Sequence, residues 1–318
     1  MTTPKRVLTF GESMGLIRGD ALGGFERLAT ASVDTGGAEG NTAIGLSRLG
    51  VPVTWLGRVG HDALGRRVVA DLRSEGVDVV AVTDESAPTG LMLKSTPRSG
   101  ATVVNYYRSG SAGSKFDVAD LDRVDFSAYD MLHVTGVTLA ISLRAREALF
   151  EAVRRAKTHG LIVSFAVNHR AKLWSMSTAR SVCNDLLPLV DILFASDEEA
   201  RMLTPAARSA AINDLPPLLM RSGPSDVIVT RGSRGCVAGI DGTVYQVPAE
   251  RISPVDTVGA GDAFAAGYLA GRARGLSTDE SLRIATRCGA WACLHPSDWQ
   301  GAAREEDLAV RIDDVVIR

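Results

Sequence analysis

Asp256-Thr257-Val258-Gly259-Ala260-Gly261-Asp262-Ala263-Phe264 is the stretch on which the fold of this 318-residue chain turns. It runs into Ala265-Ala266-Gly267-Tyr268-Leu269-Ala270-Gly271, a small-residue segment with helical character, so a loop becomes a helix here. Gly259, Ala260 and Gly261 leave their backbone N–H groups uncovered at that helix start, where unpaired donors and the helix dipole favour a phosphate. Asp262, in the first turn, can take a proton from a hydroxyl lying beside the same phosphate. A bare Gly-x-Gly-Asp supports a second account about as well: an aspartate that stabilises a helix start and glycines that permit close packing.

On the N-terminal side of that stretch, short apolar runs recur at Arg6 to Phe10, Val53 to Leu56, Asp130 to Thr135, Leu161 to Phe165, Asp191 to Phe194 and Asp226 to Thr230. Their length and branching predict strands. Between them Asn41 to Leu49, Leu64 to Glu75, Leu143 to His159 and Ala179 to Leu187 carry apolar residues at helical spacing. Strands alternating with helices predict a mostly parallel sheet covered on both faces. Leu16 to Val33 and Thr89 to Arg108 break that rhythm with alternation and turns but no following long helix. The second of these reads as a hairpin turning at Pro97-Arg98-Ser99-Gly100, and both together as a small β lid formed by about residues 16–34 and 88–109. No repeat or linker divides the chain, so one domain over 1–318 is expected.

Composition narrows the function classes. Hydrophobic residues at 45% and charged residues at 23% are those of an ordinary globular chain. A net charge of -2 supplies no basic field for nucleic acid, which leaves a small molecule as the expected partner. No apolar run approaches the roughly 18 residues that cross a bilayer, and the N-terminus leads straight into a strand, so the expectation is a cytoplasmic protein without a membrane partner. Cys183, Cys236, Cys288 and Cys293 form no CxxC pair and read as buried thiols. The five histidines are scattered, which argues against zinc.

Asp256 to Phe264 matches throughout the DTxGAGDxF signature of the ribokinase-like, or PfkB-type, carbohydrate kinases, which the chain resembles over nearly its whole length. Gly36-Gly37-Ala38-Glu39-Gly40-Asn41 through Arg48-Leu49-Gly50 is similar to that family's first signature, and Gly60-His61-Asp62-Ala63-Leu64-Gly65 to its next block, in the expected order. The resemblance implies a three-layer α/β/α fold with a β lid, ATP and Mg2+ as cofactors, and a monovalent cation as an additional candidate, while the apolar strands of the lid can pair between two chains, so a homodimer through the lid is expected. It assigns Gly36, Gly37 and Asn41 to the sugar, and Asp256, Thr257, Gly259 and Gly261 to the nucleotide. The residues alone favour a strand-to-helix turn capped by Asn41, and only the ordered signatures reverse that preference.

Within the family, Phe10-Gly11-Glu12, Tyr106-Tyr107-Arg108-Ser109-Gly110-Ser111-Ala112 and Asn168-His169-Arg170-Ala171-Lys172-Leu173-Trp174 resemble the 2-keto-3-deoxygluconate kinase branch. The guanidinium forks of Arg108 and Arg170 suit the carboxylate of a sugar acid. Arg170 equally suits ATP phosphates, and Tyr106 serves either as a polar contact or as lid packing. Thr230-Arg231-Gly232-Ser233-Arg234-Gly235 is similar to the family's nucleotide loop, which assigns Thr230, Gly232 and Gly235 to ATP, although a plain hairpin turn fits the same residues. Ala285 to Leu294 is expected on the adenine side, followed by the closing segment His295 to Gly301.

Three features depart from the pattern: Ala166 stands where an acidic residue is expected, Ser196-Asp197-Glu198-Glu199 replaces Asn-x-x-Glu, and an asparagine expected within Ala285 to Leu294 is absent. Ser196 is still expected near the nucleotide, with Glu199 holding magnesium through water, unless it is only a helix-start carboxylate. These departures keep two alternatives open beside a 2-keto-3-deoxygluconate kinase: another sugar or nucleoside kinase of the fructokinase or ribokinase type, or a non-catalytic sugar-binding regulator.

Overall fold

The computed structural model describes residues 4–96, 102–204 and 208–310. The chain opens with β1 (Val7–Phe10), β2 (Met14–Leu22) and β3 (Ala31–Gly36), then α1 (Ala38–Arg48), β4 (Val53–Gly60), α2 (Ala63–Ser74) and β5 (Asp78–Asp84). After β6 (Leu91–Thr96) and β7 (Val103–Tyr107) come β8 (Met131–Thr135), α3 (Gly136–Ile141), α4 (Leu143–Thr158), β9 (Ile162–Ala166), α5 (Met176–Leu186), β10 (Ile192–Ser196) and α6 (Asp197–Leu203). The last part holds α7 (Leu215–Met220), β11 (Asp226–Thr230), β12 (Cys236–Ile240), β13 (Thr243–Val247), α8 (Ala260–Ala273) and α9 (Thr278–Ala292).

Nine strands form the main sheet in the order β13-β12-β11-β10-β9-β8-β1-β4-β5. From β11 to β5 neighbouring strands are parallel, and β12 and β13 continue the edge as an antiparallel pair. The central strands are apolar on both faces because both faces are covered. Val7 and Trp55 point into one core with Phe264, Leu269 and Leu282 of α8 and α9, whereas Leu8 and Leu56 point into the other with Leu149, Val153 and Cys183 of α4 and α5. The resulting three layers are those expected from the alternating pattern. Side chains cap the helix starts: Asp62 accepts from Gly65 N at 2.7 Å, and Ser142 from Ala145 N at 3.0 Å.

The second sheet, β3-β2-β6-β7, is built from the two segments expected to form the lid and is called the lid. Its β6–β7 pair is antiparallel with Leu91 opposite Tyr107, whereas β2 and β6 run parallel, so the lid is a mixed sheet. The turn expected at Pro97-Arg98-Ser99-Gly100 lies outside the described residues. Three strands lie outside the sequence pattern. β5 and β13 are edge strands with polar residues at exposed positions, Asp78 and Thr83 in one and Thr243 and Gln246 in the other, and β12, though buried throughout, carries the weak strand formers Ala238-Gly239.

Candidate active site

All the parallel strands deliver their C-terminal ends to one side of the sheet, where side chains no longer have a neighbour to pack on. There, under the lid, lies a cavity of about 540 Å³ lined by residues of β6, β7, the 166–170 turn, β10, α6, Thr230 and the start of α8.

Its floor is the nine-residue stretch. Gly259 caps α8 with φ 79, a left-handed conformation, and a Cβ there would collide with the carbonyl oxygen of Asp298. Intrahelical bonding begins at Ala263 N, which donates to Gly259 O at 2.9 Å. The Ala260 amide turns back toward Thr257 O at 3.4 Å. Gly261 lines the cavity, and a Cβ on it would meet nothing within 4 Å, so its backbone is open to a ligand.

Asp262 is 9% exposed and sits between two amides from distant parts of the chain. Asn41 Nδ2 donates to its Oδ2 at 2.9 Å, and Asn168 Nδ2 to its Oδ1 at 3.3 Å. Burial pushes the Asp262 carboxyl up to about 6, opposed by the Asn41 hydrogen bond and by Arg170. A base at that level is ionised near neutrality yet still holds a proton well, the condition for general base work. Asn168 adopts φ 42, unusual for a residue with a side chain, and its amide reaches back to Asp262.

The residues expected at the sugar are less uniform. Gly37, with φ 155, lies so close to Glu12 O that a Cβ would collide with it. Gly36 lies against the Met92 methyl and the Asp298 carboxylate. Tyr106 and Arg170 line the cavity, Arg170 exposed and with its guanidinium turned to His169 O at 3.3 Å. Arg108, expected to meet a substrate carboxylate, does not line it. The Arg108 guanidinium is buried against Glu12, with Nε–Oε2 2.7 Å and Nη2–Oε2 2.5 Å, and it lies 5.6 Å from the centre of the Tyr106 ring. Ser111 donates to the other oxygen of Glu12.

Of the residues expected at the nucleotide, Ser196 and Thr230 line the cavity at the ends of β10 and β11, and Thr257 does so from the loop before α8. Gly232 (φ 56) and Gly235 (φ 81) shape the hairpin loop between β11 and β12, away from the lining. Ser196 replaces asparagine without loss of the helix start: its Oγ accepts from Glu199 N at 3.1 Å while Glu199 Oε2 accepts from Ser196 N at 2.8 Å. The other Glu199 oxygen accepts from His169 N at 2.7 Å, so this carboxylate also fastens the 166–170 turn. Of the segment expected on the adenine side, the α9 part from Ala285 to Ala292 packs against α8 rather than lining the cavity.

One buried charge cluster and one buried carboxyl have partners that the sequence does not signal. Lys94 of the lid, 3% exposed, pairs with Asp256 at 2.6 Å and Asp298 at 3.4 Å. Burial raises the Asp298 carboxyl and Lys94 opposes that rise. Glu39, within the diglycine segment, is fully buried and accepts from Thr135 and Thr138 at 2.7 and 2.6 Å, its proton affinity raised by desolvation. Thr135 lies 96 residues from Glu39 and Asp298 lies 204 residues from Lys94, which is why local pattern could not expose them.

A helix start open to phosphate, a base beside it and a cover over a cavity of small-ligand size are the equipment of a small-molecule kinase. The pfkB family carbohydrate kinase model matches residues 5–301, and the chain belongs to that family. It is 35% identical over 308 residues to a 2-dehydro-3-deoxygluconokinase of Bacillus subtilis, spanning 95% of this chain and 94% of that one. It is 34% identical to a fructokinase of Klebsiella pneumoniae over 86% of this chain and 90% of the relative. A protein described as a ribokinase II from E. coli, in complex with ATP and Mg2+, superposes with a TM-score of 0.87 at 25% identity, covering 96% of this chain and 98% of its own.

Proposed function

We propose that the protein transfers the γ-phosphoryl group of ATP to a hydroxyl of a sugar acid, with 2-keto-3-deoxygluconate as the substrate. The observation that carries the reaction is Asp262, held between Asn41 and Asn168 beside the open backbone of Gly261. Its carboxylate takes the hydroxyl proton as the oxygen attacks phosphorus, and the helix-start amides meet the charge on the transferring group. Arg170, an exposed guanidinium on the cavity wall, supports an acidic substrate, as do the relatives named for 2-dehydro-3-deoxy sugar acids.

The donor set fits Mg2+, which prefers oxygen and keeps several waters. Glu198 and Glu199 line the cavity, and among the described residues no three His, Cys, Asp or Glu side chains form a closed metal cluster. Glu199 would therefore stand behind water bound to an ion held mainly by the phosphates, and that ion would neutralise charge on them. A monovalent cation is a further candidate cofactor.

A neutral-sugar kinase is the second account, favoured by one observation: Arg108 is already neutralised by Glu12, which leaves Arg170 as the arginine on the cavity wall. The fructokinase relatives point the same way. ADP release across 2-keto-3-deoxygluconate, fructose, ribose and adenosine separates them. Turnover confined to the sugar acid, with KM raised about tenfold in Arg170→Gln, is expected for loss of one charged hydrogen bond. Turnover with fructose alone would transfer the assignment to a neutral sugar. Sugar binding without ADP production would instead indicate a binding protein.

Leu22, Val33, Val103 and Tyr107 project from the lid as exposed apolar side chains, which supports pairing of two lids in a homodimer. Sedimentation at micromolar concentration reads this, and a monomer throughout would reject it. The four cysteines are free and buried, which suits a reducing compartment such as the cytoplasm. No helix among the described residues is long and apolar enough to cross a membrane.

A further inference from the structure

We propose that Lys94 is a positioning residue whose buried ammonium ties the lid to the anion-hole turn, so that covering the sugar and shaping the phosphate site become one event. This rests on the kinase assignment for its catalytic consequence, but the coupling itself is a property of the free protein.

Lysine is almost never fully buried unless paired, and Lys94 is buried at 3% exposure on β6, an inner strand of the lid. Its ammonium lies 2.6 Å from Asp256 Oδ2 and 3.4 Å from Asp298 Oδ1, and those side chains are 9% and 7% exposed. Both aspartates hold the Gly259 turn. The other oxygen of Asp256 accepts from Val258 N at 3.1 Å, which fixes the chain one residue before Gly259. The backbone carbonyl of Asp298 lies against Gly259 itself, at the distance where any side chain would collide. The Asp298 carboxylate also rests on Gly36, at the end of β3, so the same aspartate touches the sugar-side glycines.

One ammonium therefore joins three segments: the lid, the start of the signature turn and the closing segment 295–301. Without it two buried carboxylates would face each other and the phosphate site uncompensated, and they would separate or take up protons. Either response moves the turn that carries the Gly261 amide. A lid raised from the site would withdraw the same ammonium, leaving the turn less ordered until a ligand brings the lid down, a gating role of the kind lids perform.

The test uses the full chain carrying Lys94→Met, which keeps the stem and removes the charge. In the ligand-free protein, hydrogen exchange over residues 255–262 should accelerate about tenfold or more, while β8 and β9 keep their wild-type protection. In turnover, kcat should fall on the order of 10²-fold, as small misplacements of a site do. A merely structural lysine would lower thermal stability without exchange that is accelerated selectively over 255–262. Unchanged exchange over 255–262, or a kcat within about threefold of wild type, would overturn the proposal. If Lys94→Met does not fold, Lys94→Met/Asp298→Asn removes one of the two stranded charges and is read in the same way. Absence of turnover by the wild-type protein with every sugar would defeat the kinase assignment, and the exchange measurement would then decide the coupling alone.

Discussion

The Asp256–Asp262 turn and the Glu12–Arg108 pair beside Tyr106 are built from opposite materials. The turn is one contiguous stretch that presents backbone: a left-handed Gly259, the open Gly261 and one carboxylate at a helix start. The pair is buried charge drawn from separate segments, Glu12 after β1 and Arg108 after β7, with Ser111 beyond it. Backbone donors at a helix start carry no net charge that a counter-ion must neutralise, so once the turn is held they are free to act on a ligand. Buried side-chain charges must first satisfy each other, and little of their field is left for a substrate. The turn should therefore govern rate and the pair should govern stability.

Asp262→Asn gives the largest expected effect. Loss of the base should lower kcat by about 10²–10⁴-fold with substrate binding largely kept, because proton transfer contributes that range. A rate close to that of the wild type would remove Asp262 from the base role. Glu12→Gln tests the other region: it strands the Arg108 guanidinium, and breaking a buried pair costs about 3–5 kcal/mol of stability in urea unfolding. Where the variant stays folded, kcat should change far less than in Asp262→Asn. Full stability with a collapsed kcat would erase the distinction between turn and pair.

The same contrast explains what the sequence can show. The central strands, the long helices and the signature turn from Asp256 to Asp262 are local patterns, and each lies within a few residues of where the sequence places it. Asn168 stands in a recognisable motif, yet nothing in the motif says that its backbone twists to φ 42 and returns the amide to Asp262. Arg108 reads as a ligand for a carboxylate, and the carboxylate it meets is Glu12, 96 residues earlier in the chain. Lys94 carries no signal at all, since an alternating lid strand ordinarily places a lysine in solvent. Pairing between distant segments is a property of the assembled fold, so charge patterns short of that assembly cannot reveal which groups will neutralise each other.

The smallest effect concerns acidity, and it probes how the turn draws on distant side chains. The Asp262 carboxyl is raised by burial to about 6 from an ordinary 3.8, so the base is lost on acidification and kcat should fall below about pH 6. Asn41 donates to the ionised form and opposes the rise, so Asn41→Leu should move the acid limb of kcat about one pH unit higher, as expected for a charge-assisted hydrogen bond. Stability runs in the opposite sense. Because the folded value lies above the unfolded one, the contribution of Asp262 is fully present below about pH 4 and is lost as pH rises through about 6. The stability difference between wild type and Asp262→Asn should therefore shift against the wild type across that window. An acid limb that stays in place in Asn41→Leu would mean that the Asn41 amide orients the carboxylate without setting its charge.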